Sequence, residues 1–282
     1  MSETFKVACV QMTSVVDPDA TVAGASDLVR RARDDGAVLI NLPENAGRMA
    51  PQKVLLAEAE EEAEHRGLAA YRSVAAETGA WLLVGSLTVK LAADRLANRS
   101  YLIAGDGTVV AKYDKIHMFD VDLPTGEQYR ESAAFQPGGA ACLADTPWGT
   151  LGMTVCYDLR FPALYRTLAQ AGADFLSIPA AFTRPTGAAH WHVLLRARAI
   201  ETGCFVFAPA QCGSHYGRRA TYGHSLIVAP WGEVLAEAGE EPGVVLADID
   251  PTAIAAARTA VPSLQHDRPF AAPARGRRAA AE

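Results

Sequence analysis

The amino-acid sequence predicts an α/β fold, a four-layer α-β-β-α sandwich of two mixed sheets with pseudo-twofold halves. Three observations predict it. Strand-like apolar runs alternate with helical stretches, each alternating series closes in a hairpin, and the second half of the chain repeats the element order of the first.

Residues 6–12, Lys-Val-Ala-Cys-Val-Gln-Met, read as the opening strand, 20–34 as a helix, 37–42 as a strand, 53–78 as one long helical region and 80–87 as a further strand. Residues 98–104 and 108–113 flank Gly105-Asp106-Gly107, the turn chemistry of a β-hairpin, so alternation gives way to antiparallel pairing and the sheet is mixed. The second half runs strand 150–155, helix 162–171, strand 174–179, helix 188–201 and strand 204–210. Pro162 suits a first helical turn, where its missing N–H is no loss, and Gly172 stops that helix. A second hairpin pairs 222–229 with 233–238 around Pro230-Trp231-Gly232. The repeat is one of element order, without a matching repeat of residues. One domain is expected over 1–268, followed by an Ala/Pro/Arg-rich tail, 269–282, that lacks apolar periodicity and is either docked or disordered.

With 282 residues, half of them hydrophobic, the chain can bury a sizeable core. A net charge of −6 offers no basic field for nucleic acid or an anionic membrane, and the acidic run at 58–64 reads as a solvated helix face. A small-molecule role fits better. Met1 to Asp19 shows no basic segment followed by an apolar core, and no apolar run is long enough to span a bilayer, so a cytoplasmic location is expected. The five cysteines are odd in number and widely spaced, without a Cys-x-x-Cys pair; reduced thiols and no structural metal are expected.

Cys156 is the most informative residue, because the sequence delivers it from the end of a strand to the start of a helix. There, unpaired backbone N–H groups and the helix dipole would lower its pKa and make it a nucleophile, although a cysteine is more often simply buried. Glu44 follows an apolar strand that Pro43 terminates, and its pKa should be raised in the crevice at the strand ends, as a general base requires. Lys115 follows the first hairpin and would bring fixed positive charge to a developing oxyanion. A single Glu or Lys after a strand is usually surface decoration; the three together are a constellation.

Glu, Lys and Cys at three strand ends, in this order and spacing, resemble the nitrilase (carbon–nitrogen hydrolase) superfamily, and the likeness covers nearly the whole chain. By that resemblance Glu44 is the general base, Lys115 stabilises the tetrahedral intermediate with the backbone N–H of Tyr157, and Cys156 is acylated. A second glutamate of the family matches Glu131 best and Glu127 less well. No metal or organic cofactor is implied.

Several stretches resemble the deaminated glutathione amidase branch: His117-Met-Phe-Asp-Val-Asp, Cys156-Tyr-Asp-Leu-Arg-Phe-Pro, His190-Trp-His-Val-Leu-Leu-Arg and Tyr222-Gly-His-Ser. This implies a 2-oxoglutaryl amide as substrate, cleaved to 2-oxoglutarate and cysteinylglycine. Its carboxylate would call for a cation, for which Arg160 is placed, with Thr183 adding a hydrogen bond. Arg160 could equally pair with Asp158 or Glu201. The alternative is an ω-amidase acting on 2-oxoglutaramate, with a nitrilase, a carbamoylase or a non-catalytic scaffold further off. The stretch Pro124-Thr-Gly-Glu-Gln-Tyr falls in the loop expected to cover the pocket and to govern substrate choice. Family members usually associate through the helices on one face, so a homodimer is expected by that resemblance, with the helix 188–201 and the C-terminal segment as contacts.

His190 and His192 project about 200° apart on a helix and cannot share one ion. Arg196, Arg198 and Glu201 read as structural ion-pair partners, and Trp148 and Trp231, each before a turn glycine, as apolar covers over hairpins.

Overall fold

In the computed structural model, which describes residues 3–124, 126–217 and 219–273, the chain builds two sheets in succession. β1 (Phe5–Gln11), α1 (Pro18–Asp34), β2 (Leu39–Asn41), α2 (Gln52–Glu58), a 3-10 turn (Glu62–Glu64) and α3 (Arg66–Thr78) lead to three consecutive strands. These are β3 (Trp81–Ala92), β4 (Arg95–Ile103) and β5 (Val109–Asp114). A separate small hairpin follows, β6 (Asp120–Asp122) and β7 (Gln128–Arg130). The second half runs β8 (Cys142–Thr146), β9 (Gly149–Met153), a 3-10 turn (Cys156–Arg160), α4 (Pro162–Gln170), β10 (Phe175–Ser177), α5 (Arg184–Thr202) and β11 (Phe205–Ala208). After a second small hairpin of β12 (Cys212–Ser214) and β13 (Ala220–Tyr222) come β14 (Leu226–Val228), β15 (Val234–Glu237), β16 (Gly243–Ile249) and α6 (Thr252–Ala260).

The six-stranded orders are β16-β1-β2-β3-β4-β5 and β15-β14-β11-β10-β9-β8. Each sheet has three central parallel strands, an antiparallel hairpin on one side and one antiparallel edge strand on the other. The two mixed sheets of the expected sandwich are therefore present, and the element order of the halves corresponds.

Alternation along β1 shows how the layers fill. Val7 and Cys9 join the core between the sheets with Leu151, Met153, Phe175 and Phe207, whereas Ala8 and Val10 face Val22, Val29, Tyr71 and Val74 of α1 and α3. Both faces of the central strands are buried, which is why they read as continuous apolar runs. α1 starts where the Asp17 side chain accepts from the Asp19 N–H and Pro18 takes the first turn; it buries Val22, Ala25, Val29 and Ala32.

Two buried glutamines join the halves reciprocally. Gln11 accepts from the Ser225 N–H and donates to the carbonyls of Gly239 and Glu241 at 2.7 and 2.8 Å. Gln211 accepts from the Ser14 N–H and donates to the Glu44 carbonyl at 2.9 Å.

Some boundaries differ from expectation. The region 53–78 is not one helix: at Ala59 the chain turns extended, and the Glu60 carbonyl accepts from Lys90 N at 2.8 Å, so pairing with β3 overrides good helix propensity. The helix expected over 188–201 begins at Arg184, capped by Thr183, and ends at Gly203 with φ +59°. β16, which pairs with β1, and α6 were not anticipated. Of the tail, residues 269–273 are exposed without regular structure and the remainder lies outside the described residues. Among the described residues no helix is long and apolar enough to cross a membrane, and the five cysteines are free thiols.

Candidate active site

Three chain segments converge where the strands of both sheets end. Beyond β2, the Leu42 N–H donates to the Leu83 carbonyl and the Asn45 N–H to Ser86 Oγ, which fixes the backbone on either side of Glu44. Gly85 makes this approach possible, since a Cβ there would lie 2.2 Å from the Leu42 oxygen and 2.4 Å from that of Pro43. Beyond β5, the Lys115 N–H donates to Asn98 and its carbonyl accepts from Gly138. Beyond β9, the Cys156 N–H donates to the Pro179 carbonyl at 2.8 Å. Asn45 and Cys156 have φ of +59° and +50°, left-handed conformations that cost a side-chain-bearing residue about 1–3 kcal/mol and are held by their surroundings.

The structure brings Glu44, Lys115, Glu131 and Cys156 together. Lys115 Nζ donates to Glu44 Oε1 at 2.9 Å and to both oxygens of Glu131 at 2.9 and 2.8 Å. Asn98 Nδ2 donates to the same two carboxylates at 2.9 and 3.1 Å, and the Phe119 N–H donates to Glu131 at 2.6 Å. The Cys156 thiol lies against the Glu44 carboxylate. Glu127 does not touch Lys115; it accepts from the Tyr129 hydroxyl at 3.1 Å on the loop between β6 and β7.

Electrostatics here departs from the sequence reading in two respects. Burial alone would raise the Glu44 pKa, but Lys115 and hydrogen bonds from Cys156, Lys115 and Asn98 outweigh it, so the carboxyl is held below its ordinary value. The Cys156 thiol is pushed well up, by burial first and by Glu44 next, against the opposing pull of Lys115. One ammonium already balances two carboxylates, so a thiolate would be a third negative charge around it. Moreover, the Cys156 N–H is paired, and the thiol opens a short 3-10 turn six residues ahead of Pro162, beyond the reach of the α4 dipole. Burial would lower Lys115, yet Glu131 and Glu44 hold it well above its usual value, so it stays charged.

Asp158, which sequence reasoning weighed only as a partner for Arg160, anchors the turn that carries Cys156. Fully buried, it accepts from Tyr113 Oη at 2.7 Å, Val155 N at 2.8 Å and His117 N at 3.0 Å, and meets His117 Nδ1 at 2.7 Å. Arg198 closes the turn from the other side, donating twice to the Leu159 carbonyl and once to Glu201 at 2.8 Å. Asn98 and Asp158 were missed because isolated Asn and Asp residues carry no local signature of convergence.

The cluster forms one wall of a cavity of about 530 Å³, which Tyr157, Arg160, Glu127, Tyr129, Phe182 and Thr186 also border. Arg160 makes neither expected ion pair: its Nη1 meets His190 Nδ1 at 3.2 Å, with the guanidinium over the Phe182 ring. Thr183 is buried and not among the residues that border the cavity; its hydroxyl lies 2.8 Å from that of Thr186 and caps α5. A second cavity of about 450 Å³ between α1, α2 and α3 shares Arg48 and Leu55 with the first but borders none of the four clustered groups.

Elsewhere, His190 and His192 take different partners as their spacing requires: His192 Nε2 and His224 Nδ1 both meet Glu237 Oε1 at 2.9 Å, and these three residues could offer donors to one ion. Arg196 donates to the Gly232 carbonyl and not to an acid. Trp148 does cover its hairpin, stacked on Phe5 at 4.9 Å, whereas Trp231 stands 57% exposed.

A family model described as carbon-nitrogen hydrolase matches residues 6–259. The chain is 42% identical over 268 residues to a deaminated glutathione amidase of Synechocystis sp., covering 93% of this chain and 97% of that protein. The NitFhit protein of Caenorhabditis elegans superposes with a TM-score of 0.87 at 35% identity, over 95% of this chain and 66% of that longer one. An amidase from Nesterenkonia sp. gives 0.81 at 27% identity, over 95% of both chains. The chain is thus a hydrolase of carbon–nitrogen bonds other than peptide bonds, an amide-cleaving member of the carbon–nitrogen hydrolase family.

Proposed function

We propose that the protein hydrolyses a linear amide through a thioester on Cys156, with deaminated glutathione as substrate and 2-oxoglutarate and cysteinylglycine as products. The observation that carries the chemistry is a buried thiol against a carboxylate that shares one lysine with a second carboxylate, at the wall of a cavity of about 530 Å³. The substrate rests on 42% identity to a deaminated glutathione amidase along nearly the full length of both chains.

The steps follow from the groups. Glu44, ionised because Lys115 and Asn98 hold it so, takes the thiol proton as sulfur attacks the carbonyl carbon. Raising the thiol pKa makes this transfer concerted with attack. Lys115 and the backbone N–H of Tyr157 hold the oxyanion. Glu44 then passes its proton to the departing amine, and the C–N bond breaks to leave the thioester. Water, activated by Glu44, releases the acid and restores the thiol. Glu131 keeps Lys115 charged and aimed. Arg160, at the cavity edge without an acidic partner among the described residues, receives the 2-oxo acid carboxylate.

A cytoplasmic homodimer completes the reading. Val193 and Ile200, seven residues apart on one face of α5, stand 70% and 55% exposed, and Ile200 packs at Gly232 of the β14–β15 turn that carries the exposed Trp231, an apolar surface suited to a second copy.

The test compares wild type and Cys156→Ala on deaminated glutathione and, separately, on 2-oxoglutaramate, following 2-oxoglutarate, cysteinylglycine and ammonia. Faster, Cys156-dependent release of cysteinylglycine is expected. Dominant ammonia release would replace the substrate by 2-oxoglutaramate, and inertness toward both would remove both substrates.

A further inference from the structure

Among the cations that border the candidate active-site cavity, most have acidic partners: Lys115 has Glu44 and Glu131, Arg48 has Glu58 and Arg130 has Asp122. Arg160 and Arg219 have none among the described residues. Arg219 is the more exceptional. Its Nη2 donates to the Ala181 carbonyl at 2.9 Å, and its guanidinium lies 4.7 Å from the centre of the Tyr129 ring. Its Nε and Nη1, however, are shielded from solvent and have no hydrogen-bond partner among the described residues. A guanidinium is always charged and presents its donors in a fixed fork, so leaving two of its nitrogens dry and unpaired is costly unless something else satisfies them.

We propose that Arg219 is the anchor for a carboxylate on the leaving-amine half of the substrate, with the Tyr129 ring packed against its guanidinium. The inference rests on the amidase reading and deepens it by naming the class of amide preferred, one whose amine product carries a carboxylate. The reaction and the cavity lining orient it. The acyl half has to lie against Cys156, beside the turn that carries Arg160. With Arg160 taken by the carboxylate of the acyl half, a carboxylate on the amine half is left for the other cation that lacks an acidic partner. Arg219 borders the same cavity, with its guanidinium against the Tyr129 ring and its Nη2 on the Ala181 carbonyl. Two cations without acidic partners among the described residues border one cavity, which suits a substrate with two carboxylates. An amide that releases ammonia needs only one.

Binding, read independently of turnover, tests the assignment. In a Cys156→Ala background, N-acetylcysteinylglycine and its neutral C-terminal amide are titrated by NMR, alongside 2-oxoglutaramate, which carries only the acyl-side carboxylate. Arg219→Gln is expected to weaken N-acetylcysteinylglycine about tenfold to a hundredfold and to leave the neutral amide and 2-oxoglutaramate unchanged. Arg219→Lys, which keeps the charge without the fork, should fall between and shows that the loss is not a folding defect. Equal loss of all three probes, unchanged binding of N-acetylcysteinylglycine, or selective loss of 2-oxoglutaramate would each overturn the proposal. Failure of the amidase reading would instead show as absent hydrolysis by the protein with Cys156 intact.

Discussion

Replacing Asp158 by Asn tests whether the turn that presents Cys156 is held by one buried carboxylate. Its Oδ2 accepts from the Val155 N–H and Tyr113 Oη, and its Oδ1 accepts from the His117 N–H and meets His117 Nδ1. An asparagine amide can place its NH₂ on either side. Tyr113 can rotate its hydroxyl to accept, and the imidazole can change tautomer, but a backbone N–H can only donate. Either orientation therefore sets the new NH₂ against one main-chain donor, Val155 or His117, in a site that water does not reach. One unsatisfied buried donor and the lost charge assistance amount to about 3 kcal/mol. The denaturant midpoint should fall accordingly at unchanged slope, with Tm lower by about 5–10 °C. Turnover should drop about tenfold to a hundredfold, because Cys156 at φ +50° depends on this turn for its position against Glu44. Stability within about 0.5 kcal/mol of wild type together with full activity would refute the reasoning.

The acid limb of activity should lie below the ordinary carboxylate range near 4.3, because Glu44 is held down in the folded state. By linkage, its contribution to stability is complete above the unfolded value and is lost as pH falls through the lower folded one; an acid limb near pH 6 in the pH–rate profile would contradict this. Thiolate absorbance, wild type minus Cys156→Ala, should show no titration step between about pH 6 and about pH 9, since burial and Glu44 keep the thiol protonated. Gly85→Ala should cost about 3 kcal/mol in chemical denaturation, as its Cβ would strike the main-chain oxygens of Leu42 and Pro43, and a neutral effect would mean that the β2 end moves freely. Val193→Glu should convert a dimer to a monomer in light scattering; an unchanged mass would place the subunit contact elsewhere.

What the sequence made legible and what it did not have physical reasons. The β/α alternation and the Gly105-Asp106-Gly107 hairpin were readable because turn chemistry and apolar runs are local properties. The positions of Glu44, Lys115 and Cys156 at strand ends followed from the same local reading. Their protonation did not: the pKa of Glu44 depends on Lys115, seventy-one residues away, and that of Cys156 on how many charges share one small volume. The break at Ala59 was hidden because a Glu-rich segment is a good helix former until a neighbouring strand claims its carbonyl. Arg219 stayed unnoticed for a related reason: nothing local distinguishes a guanidinium with solvent partners from one whose Nε and Nη1 have none.

The cluster is divided between the halves, with Glu44, Lys115 and Glu131 on the first and Cys156 on the second, and the two glutamines exchanged across the core register one half against the other. The connector at 136–141 is irregular and largely exposed. Two polypeptides made by breaking the chain there would each lack part of the reacting set, so hydrolysis by their mixture would report their reunion. The fold thereby carries the layout of a split reporter, in which Gln211 grips the carbonyl of the very residue that serves the thiol opposite.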